Sequence, residues 1–282
     1  MKSNIREEIA AAMVAALGKG IIPWRKPWTG SMGRPRNANS QKPYRGGNAF
    51  YLGLLQGMMG YSTGQWLTFN GAKTLGGSIR KGEKGTQIFF WQFIKKEDKA
   101  TGKETSFPYA KPYYIWNLDQ TEGCQLATKE VIRPEPIAAA EAIFRGMPKP
   151  PTMLVGEEAF YNPTRDAVTL PMASTFRNME SYYATMFHEL AHSTGHASRL
   201  DRKLDGSFGS DPYSREELVA EMTASFLCGE CGIFDTVQEN SEAYVQHWAA
   251  KLGSQPMLIL EAAGAAQKAA DYILNVKFGE GE

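Results

Sequence analysis

Residues 187–192 read Phe187-His188-Glu189-Leu190-Ala191-His192 and match the pattern H-E-x-x-H, with two histidines four positions apart. On a helix, residues i and i+4 lie on one face, so His188 and His192 can bind one metal ion together. Glu189 stands beside the first histidine, where a general base that takes a proton from a water molecule is needed. The motif therefore predicts a metal site for hydrolysis, with Glu189 as its catalytic residue.

The residues around the motif predict the helix that the motif requires. Asn178 is a good N-cap, Glu180 falls in the first turn, and Gly195 is a typical C-terminal stop. A short pattern such as this also arises by chance on ordinary amphipathic helices, but the helical context favours the metal site. Apolar residues at helical spacing predict the buried face, namely Tyr183, Met186, Phe187, Leu190 and Ala191.

The third metal ligand has to come from another part of the chain. The longer pattern H-E-x-x-H-x-x-G-x-x-H ends in a third histidine, and this sequence has Ser198 at that position. A second predicted helix, from residue 214 to about residue 227, offers Glu217 and Glu221 on one face. We predict that Glu217 binds the metal and that Glu221 accepts a hydrogen bond from a ligating histidine.

Several candidates for that ligand stay open. Ser214 and Glu217 also fit a capping box, in which case Glu221 binds the metal instead. Asp211 and His196 are the remaining candidates. A site of two histidines and one glutamate accepts one divalent transition metal, with zinc foremost and manganese or cobalt also possible.

The composition is that of a globular protein long enough for two domains, each with its own core. The 282 residues are 43% hydrophobic and 22% charged, and no apolar run is long enough to span a bilayer. Glu7 and Glu8 precede the apolar run of residues 9–17, where a signal peptide would be basic. Because there are only 3 cysteines, we expect a cytoplasmic protein. Because no apolar run can span a bilayer, we expect no membrane partner.

The formal net charge of +1 conceals two oppositely charged halves. Residues 1–125 contain 18 Lys and Arg against 8 Asp and Glu, whereas residues 126–282 contain 13 against 22. A basic half favours a polyanionic partner, although two domains that dock on each other would show the same division. We predict an α+β fold with two domains, residues 1–125 and 136–282, joined by a proline-containing linker at residues 126–135.

Aromatic residues alternate with Lys and Arg in the loops of the basic half. Single-stranded nucleic acid binding needs this combination, because bases stack on rings while cations follow the backbone. No motif of a duplex-binding domain is present. We predict a single-stranded nucleic acid as the partner, bound by Trp24, Arg25, Lys26, Trp28, Arg34, Arg36, Tyr44, Arg45, Asn48, Arg80, Lys81 and Lys84.

Aromatic residues in the predicted strands of the same half have a simpler interpretation. Residues 66–69, 87–93 and 112–117 are predicted as strands. Alternation along a strand places half of its side chains inside, so we predict these aromatics as core residues. They are Trp66, Phe89, Trp91, Tyr114 and Trp116.

In the acidic half, short strands precede the motif helix. In zinc-dependent peptidases an edge strand beside that helix binds the substrate by adding it to the sheet, and Ala167–Leu170 is our candidate. An ordinary strand explains this segment equally well. Cys228 and Cys231 form a single C-x-x-C pair, which we interpret as buried thiols at a helix end rather than a zinc site.

Seven segments carry a family resemblance: residues 23–28, 43–48, 66–69, 80–85, 117–123, 188–196 and 215–221. In this order they resemble the ArdC-type antirestriction proteins of conjugative plasmids and the matching region of plasmid TraC-type primases. The resemblance implies an N-terminal single-stranded-DNA-binding domain and a C-terminal zincin-like metallopeptidase domain. It also implies a role in protecting incoming plasmid DNA from host restriction. Ser193 departs from the aromatic residue expected at that position in many relatives, which concerns the substrate rather than the metal.

Three functions are consistent with these residues. The first is an antirestriction protein that binds single-stranded DNA and carries a metal-dependent peptidase site of the zinc type. The second is a protein that only occludes single-stranded DNA and whose metal site is structural or vestigial. The third is a DNA-tethered protease whose substrate is a restriction protein or another DNA-bound protein.

Overall fold

The N-terminal half combines a four-stranded sheet and a two-stranded sheet, β3 with β6, with helices. The computed structural model describes residues 5–22, 34–97, 104–126, 135–202, 211–233 and 242–276. Strands β1, β2, β5 and β4 form a sheet in that order, in which β1 and β2 are parallel and the other pairs antiparallel. The elements are α1 (Ile5–Leu17), β1 (Arg36–Asn37), α2 (Gly46–Met59), β2 (Gln65–Leu67), α3 (Phe69–Thr74), β3 (Ser78–Ile79), β4 (Thr86–Glu97), β5 (Glu104–Asn117) and β6 (Thr121–Glu122).

The C-terminal half places a three-stranded sheet beside a group of helices. Strands β7, β9 and β8 pair in that order, with β7 parallel and β8 antiparallel to β9. Helices α5 and α6 pack against each other, and α8 packs against α6. The elements are α4 (Pro136–Gly146), β7 (Thr152–Val155), β8 (Phe160–Asn162), β9 (Ala167–Leu170), α5 (Met179–Ser193), α6 (Asp211–Cys231), α7 (Glu242–Ser254) and α8 (Leu258–Ile273).

The mixed α+β class predicted from the sequence is confirmed, and one strand prediction is corrected. Residues 66–69 were expected to be extended, but β2 ends at Leu67 and Phe69 begins α3. Thr68 is the cause, because its Oγ1 accepts a hydrogen bond from the Gly71 backbone N–H at 3.0 Å and so caps the helix.

The aromatic residues of the sheet divide between the interior and the surface. Trp66 is fully buried against Leu52, Ile88 and Ile115, as predicted for a core residue. Tyr114, which was also predicted as core, is instead 56% exposed. The side chain of Trp91 lies outside the described residues.

The largest hydrophobic core draws on both halves of the chain. Ile9 and Met13 of α1 and Phe50 of α2 belong to the same buried cluster as Phe187 of α5 and Phe226 of α6. The Phe50 and Phe226 rings lie 4.5 Å apart between centroids. The N-terminal half has a smaller core of its own around Trp66, but α1 and α2 also pack on the C-terminal helices, so the largest core is shared.

Buried polar contacts add to this interface. Arg34 is 5% exposed and forms an ion pair with Glu230 near the end of α6. It also donates to Gln267 Oε1 of α8 at 3.1 Å, and Gln267 Oε1 accepts a second bond from the Gly46 backbone N–H at 3.0 Å. Arg45 pairs with Asp271 on the same helix. The segment before α2 is thus held on α6 and α8 by charge as well as by apolar contact.

The chain was predicted to lack a membrane span. Within the described ranges, no helix combines the length and the apolar character needed to cross a membrane.

We expect Glu230→Ala to lower the free energy of unfolding by about 3 kcal/mol, because it leaves the Arg34 guanidinium buried without its counter-charge. Urea denaturation measures the change. Arg145→Ala is the matched control, since its pair with Glu141 is 76% and 44% exposed and is worth at most about 0.5 kcal/mol. Equal effects of the two substitutions would contradict the structural role of Arg34.

Candidate metal centre

Helix α5 forms where the sequence predicts it. The Asn178 side chain accepts a hydrogen bond from the Ser181 N–H at 2.8 Å, and Glu180 lies in the first turn. The helix ends at Ser193, with Gly195 two residues beyond. All five predicted apolar residues of the stripe are buried, which leaves His188 and His192 facing α6.

Three side chains converge at the α5–α6 contact. Nε2 of His188 lies 3.2 Å from Nε2 of His192. The Glu217 carboxylate places Oε2 3.6 Å from the first nitrogen and Oε1 3.5 Å from the second. In the described part of the chain, only His188, His192 and Glu217 form such a group of three metal-binding side chains.

The separations between these donor atoms suit a single ion. Two ligand atoms that are about 2.0–2.1 Å from a tetrahedral ion lie about 3.4 Å from each other. The observed distances of 3.2, 3.5 and 3.6 Å bracket that value. The side chains of His188 and Glu217 remain 22% and 27% exposed, so one side of the group is open to solvent. The donors present therefore fit a divalent metal with a position left for a water molecule or a substrate.

The charges around the histidines favour positive charge at this point. Burial opposes protonation of His188, but the hydrogen bond with Glu217 and the charges of Glu221 and Glu189 outweigh it, so the pKa of His188 is raised. A cluster of carboxylates around two imidazoles attracts a metal cation for the same reason.

Glu189 lies buried beside this group, next to strand β8. Burial raises the pKa of its carboxyl group, against the lowering effects of His188 and His192. A further hydrogen bond, from the Tyr161 backbone N–H, also lowers the pKa. Since Tyr161 lies in the middle of β8, the strand fixes the position of the carboxylate.

Glu216, which the sequence did not single out, contacts the other nitrogen of His192. Its Oε1 lies 3.5 Å from His192 Nδ1. Arg202 holds this carboxylate with bonds of 2.6 and 3.1 Å and also donates to Thr194 Oγ1 and to the Ala191 carbonyl. Burial would raise the pKa of Glu216, but the hydrogen bonds from His192 and Arg202 hold it below its usual value.

At His192 this supporting position belongs to Glu216, and the hydrogen bond predicted from a ligating histidine to Glu221 stays a prediction. Residues 216 and 217 are adjacent on α6, and their side chains contact opposite nitrogens of one imidazole ring. Glu221 is half-buried and close enough to His188 for its charge to raise the pKa of that ring.

Of the remaining candidates for the third ligand, His196 turns away from the group. Its Nδ1 lies 2.9 Å from Ser198 Oγ and 4.0 Å from Asp166. Helix α6 begins at Asp211, so Ser214 lies within its first turn and not at the cap that a capping box requires. The Asp211 side chain lies outside the described residues.

The prediction that Ala167–Leu170 is an edge strand is wrong. These residues form β9, which is the central strand of its sheet and has both edges paired. Strand β8 is the edge beside α5 instead, and it carries the amide that bonds Glu189. The sequence does not reveal this order, because β8 lies between β7 and β9 along the chain but not in the sheet. There β7 pairs directly with β9 in parallel.

Arg199 anchors β8 and β9 to the end of α5. Its guanidinium forms a bidentate ion pair with Asp166, and its Nη2 lies 3.3 Å from the Tyr161 hydroxyl oxygen. It also donates to the Ser193 carbonyl at 2.7 Å. This cluster, missed in the sequence, fixes the β8–β9 hairpin relative to the metal helix. At the far end of α6, Cys228 and Cys231 are buried thiols, as predicted.

The structure revises part of the predicted DNA-binding set. Arg34 is buried in the ion pair with Glu230. The Asn48 amide bonds both backbone groups of Phe89 on β4, and Tyr44 packs against the core. These three side chains have structural contacts, so we leave them out of the DNA surface.

The other predicted DNA-binding residues that the structure describes lie in two places. Arg80, Lys81 and Lys84 are exposed together in the turn between β3 and β4. Arg36 and Arg45 lie on the segment before α2, where Arg36 is half-buried and Arg45 pairs with Asp271. Trp24, Arg25, Lys26 and Trp28 fall outside the described residues.

Comparison with known proteins matches two segments of the chain to two families. Residues 3–116 match the family described as the N-terminal domain of anti-restriction factor ArdC. Residues 138–265 match a zincin-like metallopeptidase family. The crystal structure of the antirestriction protein ArdC from plasmid R388, in its metal-free form, is 35% identical in sequence. It superimposes with a TM-score of 0.76 over 96% of this chain and 97% of that one.

The chain belongs to the ArdC antirestriction family. The Mn(II)-bound structure of R388 ArdC is also similar, with 34% identity and a TM-score of 0.77. The match covers 98% of this chain and 100% of that one. DNA primase TraC of Escherichia coli is 36% identical over 293 residues. That match covers 97% of this chain but 20% of the primase, and a second TraC primase is matched over 27% of its length. The R388 relative has thus been solved with Mn(II) bound, and residues 138–265 match a family described as zincin-like.

We expect Glu216→Gln to weaken divalent-metal binding about 10- to 100-fold, because the carboxylate that orients His192 loses its charge. Competition with a chromophoric chelator measures the affinity. Glu158→Gln, at an exposed position on the turn before β8, is the control with the same chemical change and should bind metal like the wild type. Unchanged affinity in Glu216→Gln would show that this carboxylate does not support the ligand.

Proposed function

We propose that this antirestriction-family protein binds single-stranded DNA with its N-terminal half and carries a metal-dependent peptidase site in its C-terminal half. Through these two sites it protects incoming plasmid DNA from host restriction. The observation that carries the proposal is the convergence of His188, His192 and Glu217 at distances that suit one ion, with the buried Glu189 beside them.

In this proposal His188, His192 and Glu217 hold a divalent ion, and zinc is the first candidate. Two imidazoles and a carboxylate suit zinc, although manganese and cobalt accept the same donors. A bound ion would supply Lewis acidity toward a peptide carbonyl and would lower the pKa of the attacking water.

The chain supplies the proton transfers and the geometry. Glu189 accepts the proton of the attacking water and later donates it to the leaving amine. Its position is set by the Tyr161 backbone N–H on β8 and by its place one residue after His188. The outer edge of β8 passes the buried carboxylate, so we propose this strand, instead of β9, as the one that holds an extended peptide by backbone hydrogen bonds.

For the DNA-binding half, the exposed cations between β3 and β4 support the proposal. Among the described residues, neither Lys81 nor Lys84 makes an ion pair, so both are available to phosphate groups. The Gly82 φ of 90° lets the chain turn sharply between them. Belonging to the ArdC family is consistent with DNA as the polyanion.

We expect Glu189→Gln to keep one equivalent of metal per chain and to lose protection of plasmid DNA, because only the proton acceptor is changed. His188→Ala should lose the metal as well. Elemental analysis gives the metal content, and transformation of a restricting host with unmodified plasmid gives the protection. If Glu189→Gln protects as well as the wild type, the peptidase role is refuted and DNA occlusion alone explains the protection.

The second test concerns salt. We expect the double substitution Lys81→Ala and Lys84→Ala to weaken binding to single-stranded DNA and to reduce the slope of log K against log salt by about 1.4, because each phosphate that is no longer neutralised lowers it by about 0.7. Fluorescence anisotropy at several salt concentrations measures the slope. The double substitution Arg165→Ala and Lys268→Ala removes the same charge from exposed positions of the other half, and it should leave the slope unchanged.

A further inference from the structure

A cavity of about 630 Å³ opens on the N-terminal half, away from the metal centre. Tyr51 and Met59 of α2, together with Tyr61 just beyond it, line one wall. Residues 82–87, at the turn into β4, line the opposite wall together with Tyr114 of β5. The volume lies in the range of small-molecule sites in proteins.

Aromatic rings give this cavity flat apolar walls. Tyr114 is 56% exposed, so its ring borders the opening and does not fill the core. Tyr61 is held edge-on against the buried Trp66, with 5.7 Å between ring centroids. Burial first, and nearby carboxylates second, raise the pKa of both Tyr51 and Tyr61, so their hydroxyl groups stay neutral hydrogen-bond donors. Flat rings with polar tips suit a planar heteroaromatic ligand.

The opposite wall is fixed in shape by a close contact. A side chain at Gly85 would come within 2.8 Å of the Trp116 indole, so the backbone of this wall lies directly on that ring. Trp116 in turn donates from Nε1 to the Glu83 carbonyl at 3.4 Å. The wall therefore presents peptide groups to the cavity at defined positions.

Side-chain bonds hold the same wall from below. The buried Gln120 donates from Nε2 to Glu83 Oε2 at 2.9 Å and to the Lys84 carbonyl at 3.1 Å. Arg80 binds the other oxygen of Glu83 at 2.9 Å. These bonds form before any ligand arrives, so binding costs little ordering of the wall.

Charges are distributed unevenly between the inside and the rim. Glu8 and Glu83 contribute to the lining, which disfavours a phosphate group within the cavity. Lys84 also borders the cavity, and the adjacent Lys81 is exposed on the same turn. An uncharged ring inside with a phosphodiester along the two lysines satisfies both features.

We propose that this cavity receives one base of a bound single-stranded DNA, stacked on Tyr114, while Lys81 and Lys84 contact the neighbouring phosphates. The inference rests on the proposed single-stranded-DNA binding and adds a site to it. A base in a duplex is stacked and paired and cannot enter, so the cavity also gives a physical reason for a preference for single strands.

Tyr114→Ala tests the proposal against Tyr113→Ala. Tyr113 is the adjacent exposed tyrosine of β5, its side chain points to the other face of the sheet, and it does not line the cavity. Anisotropy with a labelled oligothymidylate of about 20 nucleotides should show binding about 5- to 140-fold weaker for Tyr114→Ala. We expect Tyr113→Ala to bind within about two-fold of the wild type and Tyr114→Phe to retain most of the affinity.

A strand with an abasic residue in place of each thymidine links the effect to stacking. Because this strand has no bases to stack, wild type and Tyr114→Ala should bind it with equal affinity. Equal losses for Tyr113→Ala and Tyr114→Ala, or unchanged binding by Tyr114→Ala, would overturn the cavity as a base site. A wild-type protein that binds no single-stranded DNA would instead refute the proposed function itself.

Discussion

The arrangement of the metal centre depends on Arg202, which joins the end of α5 to α6. Its guanidinium binds the Ala191 carbonyl and Thr194 Oγ1 on one side and Glu216 on the other. Because a helix end and a neighbouring helix share this one cation, the register between α5 and α6 is defined. That register places Glu217 opposite His188 and His192. A loose contact here would separate three donors that must agree within a fraction of an ångström.

The features predicted correctly from the sequence are those that depend on residues close together in the chain, such as helix caps and apolar stripes. The Asn178 cap and the apolar stripe gave α5 within a residue at each end, because cap and stripe belong to the helix itself. The place of β9 in its sheet was mispredicted, since pairing order depends on partners that are distant in sequence. The shared core escaped prediction for the same reason. Ile9 and Phe50 look like core residues of any domain, and only the fold shows that they pack on α6 and α8.

In the candidate site, the spacing of residues along a helix predicted the histidine pair, but the adjacent position of Glu216 and Glu217 hid the role of Glu216. The pair His188 and His192 follows from the helical repeat, and Glu217 follows from needing a carboxylate on a second helix. Glu216 was missed because residues i and i+1 usually face different ways, whereas here one imidazole lies between both carboxylates. Arg34 was assigned to DNA by its charge, yet it lies in the interface between the halves. Charge alone does not distinguish a buried cation from an exposed one.

Because α1 and α2 share a core with the C-terminal helices, the two family segments should not be separable by recombination. A gene break between the two family segments, after residue 116 and before residue 138, would uncover the apolar faces of α1 and α2 on one product and of α8 on the other. Each fragment would then expose a large apolar patch and would tend to aggregate. Recombination should accordingly move the two segments as one cassette. The TraC primases fit this view, because the region that matches this chain includes both segments within much longer proteins.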